Sequence, residues 1–122
     1  MPADSHRLGV LVVDDHPLFR RGVRQLLEIS DTLSFVGEAD SGAQALTLLD
    51  ELQPELILLD LQMRGMDGIA TLKAMHQKGV SAPIVMLTVS DQQEDIINAI
   101  RAGAAGDLLK DTAPEALLDA LE

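Results

Sequence analysis

With 122 residues, 20 acidic side chains against 9 basic ones and a net charge of −11, the chain is one domain's worth of sequence that repels a phosphate backbone, so direct nucleic-acid binding by this segment is not expected. Two Phe with no Trp or Tyr exclude base-stacking platforms and force an aliphatic core, and the lack of Cys removes disulfides, thiolate metal sites and a Cys nucleophile. The stretch from Met1 to Gly9 has no long apolar run, and no run anywhere approaches the about 18 residues of a membrane span, which points to a cytoplasmic protein with no membrane partner.

In chain order, Leu8 to Val13 is apolar without interruption, the pattern of a strand covered on both faces. Pro17 opens a helix whose Phe19, Val23, Leu26 and Leu27 share one side and which ends near Ser30. Leu33 to Ala39 reads as a second strand. Ser41 caps a second helix carrying Ala45, Leu46, Leu49 and Leu52, which Pro54 closes. A third strand, Leu56 to Leu59, leads to a third helix from about Ile69 to Lys78, stopped by Gly79. Ile84 to Thr88 is a fourth strand. Capping boxes at Ser90 with Gln93 and at Thr112 with Glu115 start the fourth and fifth helices, separated by Gly103 and a short fifth strand at Leu108 to Leu109. Regular β-α alternation predicts a doubly wound α/β domain, a parallel sheet with helices on both faces.

Four of the five strand candidates end in residues suited to handling a phosphoryl group: Asp14 with Asp15, Asp60, Thr88 and Lys110. The carboxyl ends of parallel strands open on one crevice, so these residues should converge. Three carboxylates, a hydroxyl and an ammonium make a Mg²⁺ site with an acceptor carboxylate and charge-neutralising partners. A Rossmann dinucleotide site is the first rival. The turn after the first strand reads Asp14-Asp15-His16-Pro17, however, and two carboxylates there repel a pyrophosphate; no P-loop glycine-lysine pattern is present either.

The stretches Val12-Val13-Asp14-Asp15-His16-Pro17, Leu58-Leu59-Asp60-Leu61-Gln62-Met63, Gly65-Met66-Asp67-Gly68, Leu87-Thr88 and Gly103-Ala104-Ala105-Gly106 leading to Leu108-Leu109-Lys110-Asp111 resemble the receiver domain of two-component response regulators. The His16-Pro17 pair and the Leu-Leu-Lys-Asp ending are similar to NarL/FixJ-type transcription regulators, and Arg20 to Leu27 to the nitrate/nitrite regulators among them. The resemblance covers the chain from about Leu8 to its end, so residues 1–122 form one receiver domain with its core at about 8–122. It implies a flavodoxin-like (CheY-like) five-stranded parallel sheet in order 2-1-3-4-5. It also implies Mg²⁺-dependent transfer of a phosphoryl group from a sensor histidine kinase to Asp60. Asp14, Asp15 and Asp60 would then hold the metal together with the Gln62 backbone carbonyl, and Thr88 and Lys110 would contact the phosphoryl oxygens. A C-terminal helix-turn-helix output domain, absent from this segment, would carry the DNA-binding in cis, with a phosphorylation-dependent dimer as a further partner. Such a domain is no turnover enzyme; it takes up a phosphoryl group and loses it again.

Two departures stand out. Arg64 replaces the proline that the family usually has four residues after the acceptor, which should loosen that loop, and Asp107 stands where the family has Tyr or Phe three residues before the lysine. A carboxylate there cannot fill an apolar space, which puts the usual coupling between Thr88 and that aromatic in question. Two other readings of the chain are a degenerate receiver that only binds partners and an aspartyl-phosphate phosphatase similar to the haloacid dehalogenase group. The latter lacks its Asp-x-Asp, because Asp14 and Asp15 are adjacent. His16 is expected to face a partner or serve structure rather than ligate metal, His6 and His76 to sit on the surface, and the five Met to fill gaps in the core. Arg20, Arg21 and Arg24 read either as solvated helix charge or as a docking surface for an acidic kinase.

Overall fold

The computed structural model describes residues 7–61, 63, 67–88, 101 and 103–109, with the backbone alone for Asp107 and Leu109. Five parallel strands, β1 (Leu8–Val13), β2 (Leu33–Ala39), β3 (Leu56–Asp60), β4 (Ile84–Thr88) and β5 (Gly106–Leu109), form one sheet in the order β2-β1-β3-β4-β5. This is the order that the sequence resemblance implied. Helices α1 (Pro17–Ile29), α2 (Gly42–Leu52) and α3 (Gly68–Gln77) connect the first four strands. The expected fourth helix, apart from the helical Arg101 near its end, and the fifth lie outside the described residues.

Successive side chains of a strand point to opposite faces, and the unbroken apolar runs of β1 and β3 therefore feed two cores. Val10, Val12 and Leu58 pack on one face with Val23 and Leu27 of α1. On the other, Leu11, Ile57 and Leu59 meet Leu49 of α2 and Leu72 and Met75 of α3. Met63, Met75 and Met86 are all buried, the gap-filling role expected of them.

Local chemistry sets the element ends. Pro17 is tolerated at the start of α1 because the first helical N–H groups have no intrahelical partner, and the buried Ser30 closes that helix, its Oγ accepting from the Thr32 and Leu33 amides. The Ser41 Oγ caps α2 by accepting from Gln44 N at 3.1 Å. Four boundaries differ from the sequence reading, the smallest being the end of α3 at Gln77 rather than Lys78. β3 takes in Asp60 itself, since the sheet bonds continue through Asp60 opposite Leu87. β5 starts two residues early, at Gly106, because its pairing with Val85 needs only backbone. α3 begins at Gly68, with the Asp67 carboxylate accepting from Ala70 N at 2.8 Å. Replacing that cap, Asp67→Ala, should lower stability by about 1 kcal/mol in urea unfolding, with an unchanged dependence on denaturant.

Candidate functional site

Parallel register carries the strand ends to one edge of the sheet. Val13 pairs with Leu59, which sets Asp14 and Asp60 side by side, and Asp60 pairs with Leu87, which places Thr88 one residue beyond. Asp14, Asp60 and Thr88 are all buried, while the Asp15 side chain keeps 16% of its surface exposed at the mouth. The three carboxylates predicted from sequence thus come together, with Thr88 at the adjacent strand end. Thr88 pairs with Leu109, the residue before Lys110. Lys110, Gln62 and Arg64 lie outside the described residues, as does the side chain of Asp107.

The turn after β1 is held by short-range bonds. Asp14 N donates to Ala39 O at 3.0 Å, carrying the ladder to β2 one residue further, and the Asp14 carboxylate accepts from His16 N at 2.8 Å. That turn brings in a residue the sequence reading set aside. His16 Nδ1 lies 2.9 Å from Asp14 Oδ1, 3.1 Å from Asp15 Oδ1 and 3.8 Å from Asp60 Oδ2, although 62% of its side chain is exposed. One ligand atom from each of Asp14, Asp15, His16 and Asp60 falls within 4.8 Å of the others. Nothing in the spacing of His16 pointed to this, because its ring reaches the carboxylates only through the turn.

Beyond β3, Leu61 N donates to Leu87 O at 2.8 Å and Gly68 N to Leu61 O at 2.9 Å, which clamps the strand end against the start of α3. Leu61 and Met63 are buried in the same core as Leu72, so the backbone after Asp60 is anchored on both sides.

Of the three α1 cations, Arg20 departs from the solvated-charge alternative. Its side chain is only 14% exposed, its Nε donates to Glu38 Oε1 at 2.7 Å, and its Nη1 donates to the carbonyl oxygen of Asp14. Arg24 stacks 4.8 Å over the Phe35 ring and approaches Glu28 and Glu38, so Arg20 and Arg24, like charges at i, i+4, share the Glu38 carboxylate. Arg21 stays exposed. His76 is on the surface as expected but donates from Nε2 to Gly103 O at 3.2 Å, joining the end of α3 to the segment before β5.

Carboxylates within 4.8 Å repel by roughly 3 kcal/mol per pair at an effective dielectric of about 20. A bound cation would relieve that repulsion. The donor set of three carboxylates on a partly open rim fits Mg²⁺, which takes oxygen ligands and retains water, better than a metal that needs several nitrogen or sulfur ligands. Three carboxylates beside a strand-end hydroxyl are chemically suited to hold such a cation and, with it, an anionic oxygen group.

The family model of the response regulator receiver domain matches residues 10–122. The chain belongs to that family. It is 54% identical over 112 residues to the nitrate/nitrite response regulator protein NarP of Escherichia coli, an alignment covering 92% of this chain and 52% of that protein. It is also 46% identical over 116 residues to a nitrate/nitrite response regulator protein homolog of Haemophilus influenzae, covering 95% and 56%. The receiver domain thus spans about half the length of the curated relatives it matches. Among solved structures it resembles the signal receiver domain of the putative response regulator NarL from Mycobacterium tuberculosis, with a TM-score of 0.89, 38% identity and 95% and 94% of the two chains covered. A LuxR-family two-component response regulator from Aurantimonas sp. follows at a TM-score of 0.88 and 30% identity, covering 95% and 83%. No helix among the described residues is long and apolar enough to cross a membrane.

Proposed function

We propose that this receiver domain is a phosphorylation switch in which the Asp60 carboxylate takes a phosphoryl group from the phosphohistidine of a sensor kinase. The observation that carries the reading is the convergence of the Asp14, Asp15 and Asp60 carboxylates within 4.8 Å beside the end of β4. An Asp60 oxygen attacks phosphorus in line, the P–O bond forms, and the P–N bond to the kinase histidine breaks. A buried, backbone-anchored Asp60 holds that oxygen in one orientation and excludes competing water. The Thr88 hydroxyl would donate to a phosphoryl oxygen, and Lys110 would supply a further positive charge. Asp14, Asp15, Asp60 and the Gln62 carbonyl are the groups that would hold Mg²⁺, which when bound neutralises charge developing on the phosphoryl oxygens.

The names of its relatives support a role for the full-length protein in a nitrate/nitrite response, and their greater length supports a C-terminal DNA-binding domain in cis. The domain acts in the cytoplasm, forms a phosphorylation-dependent dimer and does not turn over an external substrate; it is phosphorylated and then loses the group by hydrolysis. Incubation with acetyl phosphate and Mg²⁺ should add one phosphoryl mass, and EDTA should prevent it. Steady hydrolysis of phosphomonoesters would instead favour a phosphatase, and absence of any mass change a degenerate receiver.

The metal assignment has its own test. Asp15→Ala should weaken Mg²⁺ binding at least about tenfold in a calorimetric titration, since even outer-shell partners of metal sites are worth that much. It should do so without lowering the thermal midpoint of the metal-free protein, because one repelling charge is gone. Equal Mg²⁺ affinity in parent and variant would remove Asp15 from the ligand set.

A further inference from the structure

We infer that Arg20 is a positioning residue for the acidic site, a strut that orients the Asp14-Asp15 peptide, with Glu38 as its anchor. Arg20 lies in the first turn of α1, where its own amide donates to His16 O at 3.1 Å. Its guanidinium reaches back across the turn with two donors in fixed relation, one to the Asp14 carbonyl and one, at 2.7 Å, to Glu38 at the far end of β2. Glu38 is held by the β1–β2 ladder, in which it pairs with Val12. A single side chain thus ties together α1 and the ends of two strands.

The carbonyl that Arg20 grips belongs to the peptide unit joining Asp14 to Asp15. A peptide is planar, so fixing its oxygen fixes the direction in which the next residue leaves, and with it the aim of the Asp15 carboxylate. Asp14 is already held on its other side by the bond from its N–H to Ala39 O. The guanidinium fork is suited to this task and a lysine is not, since an ammonium is a point charge on a flexible stem and cannot span both acceptors in a set geometry.

Charge and geometry predict opposite signs, which makes the inference decidable. If Arg20 acted only as a nearby positive charge, its removal would tighten binding of a divalent cation. As a strut, its removal lets the two aspartates swing and loosens that binding. The inference rests on the reading of the site as a Mg²⁺ centre, and the test separates the two. Mg²⁺ is titrated into the 122-residue protein and its Arg20→Gln, Arg20→Lys and Glu38→Gln variants, each verified as folded by circular dichroism. Arg20→Gln should weaken binding by about tenfold or more, the range for side chains that hold metal ligands in place. Arg20→Lys should also weaken it although charge is kept, and Glu38→Gln should do so by less. The double variant Arg20→Gln/Glu38→Gln should be no worse than Arg20→Gln alone, because the two residues act as one unit. In metal-free protein, amide exchange at Asp15 and His16 should speed up in Arg20→Gln. Affinity equal to or tighter than the parent's in Arg20→Gln overturns the strut and leaves the metal site standing. A parent that binds no Mg²⁺ overturns the metal site, and the metal-free exchange rates then decide the strut, unchanged rates refuting it.

Discussion

Asp60→Ala is expected to abolish phosphoryl uptake from acetyl phosphate, while Asp14→Ala and Asp15→Ala slow it and leave a residue that can still be labelled. The difference follows from position. Asp60 ends the central strand β3 between β1 and β4, so its carboxylate is flanked by the β1 aspartates on one side and by Thr88 on the other. On the outer side of the two aspartates that follow β1, the neighbouring strand β2 ends in Ala39, which carries no hydroxyl. A weak nucleophile becomes a phosphoryl acceptor only where the transferred group is held in line and its charge is met by partners, and the strand order provides that environment at Asp60. Intact mass should show one added phosphoryl group on the parent and none on Asp60→Ala after matched incubation. The metal-free variant should unfold at a denaturant concentration no lower than the parent's, because losing one of several repelling carboxylates offsets the small cavity left behind. A labelled Asp60→Ala protein would place the acceptor elsewhere.

Gly68→Ala should harm both stability and phosphoryl uptake, although Gly68 touches no reacting atom. A Cβ at this position would lie 2.3 Å from the Asp60 carbonyl oxygen, 2.6 Å from Leu61 Cα and 2.8 Å from the Leu61 oxygen. These are backbone atoms at the end of a central strand and cannot turn aside as a side-chain tip can. The start of α3 must then move off, breaking the bond from Gly68 N to Leu61 O, or the end of β3 must shift and carry Asp60 with it. Overpacking of this kind costs roughly 1–3 kcal/mol, and with three backbone contacts the upper end is expected. Displacing the acceptor by a fraction of an ångström to one ångström should slow uptake by as much as about 10²-fold. Gly22→Ala is the matched control. Gly22 sits in α1 with nothing within 4 Å of its Cβ position, and alanine there should stabilise the helix by about 0.5–1 kcal/mol with phosphoryl uptake unchanged. Equal unfolding midpoints for Gly68→Ala and the parent would show that the junction yields more easily than its contacts imply.

What could be read along the chain is what local rules govern. The continuous runs of β1 and β3, the Ser41 cap of α2, Pro17 at the start of α1 and the acidic residues at strand ends each depend on neighbours a few positions apart, and each occupies the place expected of it. Convergence of Asp14, Asp15 and Asp60 followed from one general property, that parallel strands end on the same edge. What sequence pattern left undecided depends on register and on turns. Arg20 looks like any helix cation until the β1–β2 pairing brings Glu38, 18 positions away, under its guanidinium. His16 looks like a surface ring until the turn after β1 folds it over the carboxylates. Gly68 looks like an ordinary residue behind a helix cap until the β3 backbone is laid against it. Periodicity reports which side of an element is buried, but a contact between the ends of two elements depends on how far each extends and where it is paired, and those lengths are set by the assembled sheet.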